Sequence, residues 1–283
     1  MKKQFILTGA GTLLVLVLFF FTRTTSNKKK LVESSKDTLS QKIFNVQQFI
    51  SLEKAKLSPD RAVMLSKLEN EVKRGDVAAQ QIKANYSIAN FWKDSIKLFE
   101  PYAFYFSTAS KLENSEKNLT FAARLFLGNL RGEADESKVA WQANESIDLF
   151  NKAIALNPND DDLKIGLGSV YIYGKGRDGN PKETMEGIQT LLSVARKDST
   201  NMKAQMMLGV GGIVSRQFDK AIPRLEKVVK IEPNNAEAVA YLADAHAGKG
   251  NKLEAIKWYN ISKRLINDPH YAQEVDERIK NLK

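Results

Sequence analysis

Three groups of residues in this chain have types and spacings that could do chemistry. Gly174-Lys175-Gly176-Arg177-Asp178-Gly179 satisfies G-x-G-x-x-G, follows a segment, Val170 to Tyr173, that could be a strand, and precedes a helix beginning near Pro181. A dinucleotide site also needs a second strand ending in an acidic residue about 20 residues on. Here the helix runs into Asp198 and then into another helical pattern, so the glycines are read as serving the loop's own turns. Asp160-Asp161-Asp162 has the charge for calcium, but it follows Asn157-Pro158-Asn159 and fits a helix N-terminus, where carboxylates favour the macrodipole. The two histidines, His246 and His270, have no acidic neighbours at a ligand spacing, and the chain has no cysteine for thiolate catalysis or metal ligation. No catalytic, cofactor-binding or metal-binding residue is therefore assigned, and the expectation is a protein that is not an enzyme.

The elements around these residues are helical almost throughout. Leu39, Ile43, Val46 and Ile50 make one apolar stripe on a helix over about 37–56. Ser58-Pro59 reads as an N-cap followed by proline at the first helical position, and Gly75 closes a helix striped by Ala62, Leu65, Leu68 and Val72. A third helix follows Asp76, with Ala78, Ile82, Tyr86, Ala89 and Trp92 available for burial. Period-two alternation is nearly absent, so no sheet is expected and the fold class is all-α. Residues 91–106 concentrate seven aromatics. They are read as core between successive helices, the alternative being a platform for a peptide or lipid.

Residues 5–22 carry no charge, and at about 1.5 Å per residue they reach roughly 27 Å, close to the hydrocarbon thickness of a bilayer. A cleaved signal peptide is the rival reading. The following Thr22-Arg23-Thr24-Thr25-Ser26 lacks an Ala-x-Ala pattern, which favours an uncleaved anchor. Basic residues flank both sides, so the positive-inside comparison does not decide orientation. A very short N-terminal tail is most simply left in the cytoplasm, and that places the body in a periplasm.

The formal net charge of +10 is concentrated beside this segment. Residues 1–30 hold six basic and no acidic residues, whereas 31–118 hold thirteen against eleven and 119–283 twenty-four against twenty-two. The near-neutral body carries no basic stripe interleaved with aromatics, so nucleic acid is not an expected partner. Lys28-Lys29-Lys30 is read first as a stop for the apolar segment and second as a contact for anionic headgroups.

The C-terminal half repeats itself. With a shift of 34 residues Leu208 falls on Leu242, Gly209 on Ala243, Ala221 on Ala255, Ile222 on Ile256 and Leu225 on Tyr259. A period in this range means stacked units that cannot bury their apolar faces alone. These residues, with Pro233, resemble the tetratricopeptide repeat family, whose unit is a helix pair with Leu-Gly in the first helix and an alanine then an aromatic in the second. Gly212 departs from the pattern by standing where a tyrosine is usual, and three glycines in one helix should cost it about 1 kcal/mol each relative to alanine. Upstream, Leu127-Gly128 with Ile147 to Pro158 forms a looser unit. Leu167-Gly168 with Gly174, Gly176 and Lys182 is similar to a Sel1-like repeat.

The apolar run and the resemblance together give the expected architecture, an N-terminal transmembrane helix from the first and an α-solenoid of tetratricopeptide and Sel1-like helix pairs from the second. It divides the chain into an anchor and basic linker (1–30), a helical region (31–118), repeats at 119–160, 161–201, 202–235 and 236–269, and a capping helix (270–283). In such stacks the first helices line a concave groove, here Ile165, Ser169, Ile172, Tyr173, Met206, Val210, Ile213, Val214, Ala240 and Asp244. This apolar face suits a protein or peptide segment. The positions with which some members clamp a C-terminal carboxylate are Ile165, Ser169, Met207, Glu237 and Tyr241, which do not reproduce that clamp. The expected function is a scaffold at the inner membrane, its body periplasmic and its bilayer contact through residues 5–22, that assists envelope protein assembly or maturation, with no cofactor, metal or nucleic acid. A cytoplasm-facing tethered adaptor is the second reading and an enzyme with an unrecognised site the third. Val210→Glu is expected to weaken partner binding.

Overall fold

A computed structural model describes residues 43–74, 77–177 and 181–282. The chain divides into two units, Met1–Lys42 and Ile43–Lys283. The first unit, with the apolar run over 5–22 and the lysine cluster, lies outside the described residues. No helix among the described residues is long and apolar enough to cross a membrane.

The described residues form helices and turns, with no strand among them. Four helices come first: α1 (Val46–Lys54), α2 (Pro59–Arg74), α3 (Ala78–Asn90) and α4 (Phe99–Glu113). Four pairs follow: α5 (Glu116–Leu130) with α6 (Glu136–Leu156), α7 (Asp161–Val170) with α8 (Pro181–Lys197), α9 (Met202–Val214) with α10 (Phe218–Ile231), and α11 (Ala236–Lys249) with α12 (Lys252–Ile266). The last helix is α13 (Pro269–Leu282). Each helix from α2 onward packs on the next, and the first helices α5, α7, α9 and α11 also touch one another in series. That second set of contacts makes one layer of first helices backed by a layer of second helices, the arrangement of a helical-repeat solenoid.

Side-chain caps mark where each unit begins. Asp160, Asn201 and Asn235 each accept a backbone N–H from the first turn of α7, α9 and α11, and Asp268 does the same for α13 through Tyr271 N at 2.7 Å. Asn201 and Asn235 stand one 34-residue period apart, and each such cap contributes about 1 kcal/mol. The acidic run is used up here. Asp160 caps α7, Asp161 pairs with Lys197 at 2.9 Å and Asp162 with Lys203 at 3.1 Å.

Close approach explains the glycines that helix propensity alone would penalise. A Cβ on Gly168 would lie 3.1 Å from the Gly187 carbonyl oxygen and one on Gly187 2.8 Å from that of Gly168, so α7 and α8 cross backbone to backbone. A Cβ on Gly209 would meet Leu225 Cγ at 2.6 Å, which sets the spacing of α9 and α10. Gly128 meets no neighbour within 4 Å, so its match to the repeat pattern carries no packing role here.

The cores follow the pairs. One cluster centres on Phe126, Leu130, Leu149 and Phe150, a second on Ile172, Leu191 and Leu208, a third on Leu225, Val228 and Leu242. The cap α13 closes the last cluster by burying Val275 and Ile279 against Ala243, Ala255 and Tyr259. In a π-helical turn between α3 and α4, Phe91–Ile96, Phe91 and Trp92 are buried with Ile50, Leu65 and Ile88, so these two aromatics are core, and Phe99 packs edge-on against Phe126.

Two local expectations are corrected. Asn45 caps α1 at Val46, which leaves Ile43 outside the helix and 88% exposed instead of on its buried stripe. Ala78 is exposed in the first turn of α3. Val170 to Tyr173 is helical, in keeping with the all-α expectation: α7 runs into a π-helical turn, Tyr171–Lys175, and Gly174 within that turn and Gly176 just after it are buried. Gly75, Asp76 and Gly179 lie outside the described residues.

Candidate protein-binding face

The inner layer of α7, α9 and α11 brings the ten residues singled out above onto neighbouring helices, in three different environments. Ile165, Ser169, Ile172 and Val210 are all under 9% exposed. Ser169 Oγ donates to the Ile165 carbonyl at 2.7 Å, and Ile172 packs with Leu191 and Val210. These four hold the helices together. Glutamate at Val210 would have to be buried beside apolar side chains, so Val210→Glu would perturb the fold before it tested binding.

Tyr173, Met206, Ile213, Ala240 and Asp244 are half-buried and Val214 is exposed at 37%. Asp244 faces the cap. It accepts from Tyr259 Oη at 2.6 Å and from Arg278 of α13 at 2.8 Å. Burial raises its carboxyl above the usual carboxylate value, outweighing the opposing Tyr259 and Arg278 contacts. Met206 and Ile213 lean on the third core cluster.

What organises the open part of the face is a set of polar side chains that the repeat pattern does not mark. Arg131, in the turn after α5, forms an ion pair with Glu237 in the first turn of α11, 106 residues away. The same guanidinium donates to Tyr241 Oη at 3.0 Å and lies 5.0 Å from the Tyr173 ring centroid. Tyr173 and Tyr241 share a hydroxyl–hydroxyl hydrogen bond of 2.9 Å, and Tyr173 Oη reaches Met207 Sδ at 3.8 Å. The ladder Arg131–Tyr173–Tyr241–Glu237 thus links the turn after α5, the π-helical turn after α7, and α11.

Electrostatics fit this geometry. Burial pushes the Tyr173 and Tyr241 phenols above their usual values, so both keep their protons. Burial alone would weaken the charge on Arg131, but the two tyrosines and Glu237 outweigh it. A cavity of about 570 Å³ opens beside the ladder, lined by Arg131, Ile172, Tyr173, Arg177, Val214 and Tyr241. Arg177 is fixed by donating to the Glu133 carbonyl at 2.6 Å and lies 3.6 Å from the Glu136 carboxylate. The face is therefore aromatic and cationic at one end and apolar at the other.

In the sequence, Glu237 and Tyr241 stand out only as residues that do not reproduce a carboxylate clamp, Arg177 only as an intervening residue of the G-x-G-x-x-G match, and Arg131 in no motif. No local signal points to Arg131, because its partners depend on how successive pairs are rotated. A second cleft, of about 610 Å³, lies between α3, α4 and α5, where Tyr102, Phe106 and the exposed Phe121 meet Lys93, Lys117 and Arg124. Part of the aromatic segment thus borders solvent. Among the described residues no three His, Asp or Glu side chains gather as a metal site.

The tetratricopeptide repeat family model matches residues 215–273, from the end of α9 to the start of α13. Over those residues, from α10 through α12, the chain is similar to tetratricopeptide repeats. Over 62 residues, 22% of the chain, the sequence is 36% identical to cellulose synthase operon protein C of Escherichia coli, of which those residues make up 5%. Over 141 residues, half of this chain, it is 27% identical to a BBSome complex member of Bos taurus, covering 25% of that protein. The chain thus spans a small part of the curated relatives it matches. A thermophilic tetratricopeptide protein of Thermus thermophilus superposes with a TM-score of 0.51 at 14% identity, covering 71% of this chain and 98% of that one, which shows a shared fold.

Proposed function

We propose that this protein is a membrane-tethered tetratricopeptide scaffold that holds a segment of a protein partner against the inner faces of α7, α9 and α11. The observation that carries the reading is the ladder-bounded cavity. A repeat layer of this kind uses its inner surface for contact, and here that surface combines fixed hydrogen-bond donors with the exposed Val214. Val214, Tyr173 and Met206 from the original set remain at the face, together with Tyr241 and Arg131.

The tether is the uncharged run over 5–22, with the basic cluster after it. In this reading the body faces the periplasm and serves assembly or maturation of envelope proteins, and the unit from Asp161 is a Sel1-like variant with a longer loop. The second reading, a cytoplasm-facing adaptor, shares the face and differs in topology.

Two experiments address the two halves. A reporter active only outside the cytoplasm, fused after Lys283, gives signal in the periplasmic version, and silence with intact expression selects the adaptor. Val214→Glu weakens partner capture with an unchanged melting curve. Undiminished capture by that variant removes this face from the reading.

A further inference from the structure

The ladder contains one feature that packing does not require. Its donors are fixed independently of its acceptor. Arg131 is held by Tyr241 Oη at 3.0 Å and by the Tyr173 ring at 5.0 Å, and the two phenols hold each other at 2.9 Å. Glu237 contributes the single carboxylate. It accepts from Arg131 and from Tyr241 Oη at 3.3 Å. Its side chain is 39% exposed and that of Arg131 47% exposed, and ion pairs so open to water are weak and exchangeable. When the Glu237 side chain swings outward, two donors are left aimed at one vacated position, beside a cavity whose far wall includes Val214.

We infer that Glu237 is an internal stand-in for a carboxylate of the partner, and that the partner segment presents an acidic group to Arg131 and Tyr241 with an apolar residue beside it toward Val214. This rests on the proposed binding face and names the chemistry it selects. An acid is favoured over a base because the fixed members of the site are donors, while the member that can leave is the acceptor. Arg177 on the cavity wall adds a second cation to the same end. A guanidinium suits a carboxylate because its planar fork can donate two parallel hydrogen bonds. The incoming group is an acidic side chain, the same chemistry as the Glu237 it replaces.

The test uses the full chain in detergent micelles and three labelled heptapeptides. One alternates Glu and Leu with a blocked C-terminus, one has Gln for every Glu and a blocked C-terminus, and one has Gln for every Glu and a free C-terminus. The inference expects the blocked Glu peptide to bind at least tenfold tighter than the blocked Gln peptide. Tight binding of the free-terminus Gln peptide alone overturns the side-chain assignment and leaves the binding face standing. Glu237→Gln, which removes the competing charge and keeps the shape, tightens that binding about two- to fivefold. Arg131→Gln weakens it tenfold or more and Arg131→Lys recovers part of the loss, with melting curves for all three variants confirming the fold. Equal binding of all three peptides overturns the exchange and leaves the binding face standing. Failure of every peptide to bind overturns both. Binding by Glu237→Gln that is no tighter than wild type reduces the ion pair to a structural strap and overturns the inference.

Discussion

Arg131 and Glu237, separated by 106 residues, form an ion pair across the inner layer of the solenoid. Two half-exposed charges give this contact only about 0–1 kcal/mol in water. A double-mutant cycle with Arg131→Ala and Glu237→Ala, followed by urea unfolding, should therefore return a coupling of roughly 0.5 kcal/mol that shrinks as salt is raised. A coupling above about 2 kcal/mol that ignored salt would make the pair a structural element instead.

The glycine-rich helix α9 should tolerate alanine poorly. Alanine favours the helix by about 1 kcal/mol at each glycine. At Gly209, however, its Cβ would sit 2.6 Å from Cγ of the fully buried Leu225, and overpacking of this kind costs about 1–3 kcal/mol. Gly209→Ala should lower stability in denaturant titrations, and adding Leu225→Ala should cost less on that background than in wild type. Additive losses would mean that the two helices simply move apart.

His246 supplies a pH dependence. Asn251 Nδ2 lies 3.3 Å from Nδ1, so Nδ1 accepts and the proton sits on Nε2, which is buried without a partner. Burial holds the imidazole below its ordinary pKa of about 6.5. A depressed folded-state value contributes stability that is present above the unfolded pKa and lost as pH falls through the folded one. Wild type should therefore lose stability as pH drops below about 6.5. His246→Phe should stay within about 1 kcal/mol of wild type at pH 8, since it removes an unpaired donor, and should lack that acid-side loss. Identical pH profiles for the two proteins would put His246 outside the effect.

The last helix should behave as a cap. Val275 and Ile279 are the buried residues of α13, and Lys263–Asp276 and Asp244–Arg278 tie the helix to α12 and α11. Ile279→Ala should cost about 2 kcal/mol or more, and deleting α13 should lower both solubility and melting temperature by exposing Tyr259 and Ala243. A melting curve unchanged by the deletion would remove its capping role.

These residues also show how far the sequence could be read. Helical periodicity is local, so the all-α class, the helix start at Pro59 and the acidic run as the N-terminus of α7 were all legible from spacing. Position on a face was less so. Ile172 and Val210 fall where a groove residue belongs, yet they are buried, because the crossing of Gly168 on Gly187 and the glycines of α9 draw these helices close enough to cover them. Arg131 and Glu237 meet only through the rotation accumulated over three helix pairs. A 34-residue period says that units stack but leaves that rotation open, and so the most distinctive contact of the face had no signature.

A photoreactive residue in place of Val214, in the full chain expressed in cells, asks most directly whether the inner layer holds a partner. Glu226, exposed on α10 in the outer layer, is the matched control. The account predicts one discrete cross-linked protein from position 214, none from 226, and loss of the 214 product when Tyr241→Ala removes one side of the cavity. Cross-linking that is the same from both positions, or that appears only from 226, would contradict it.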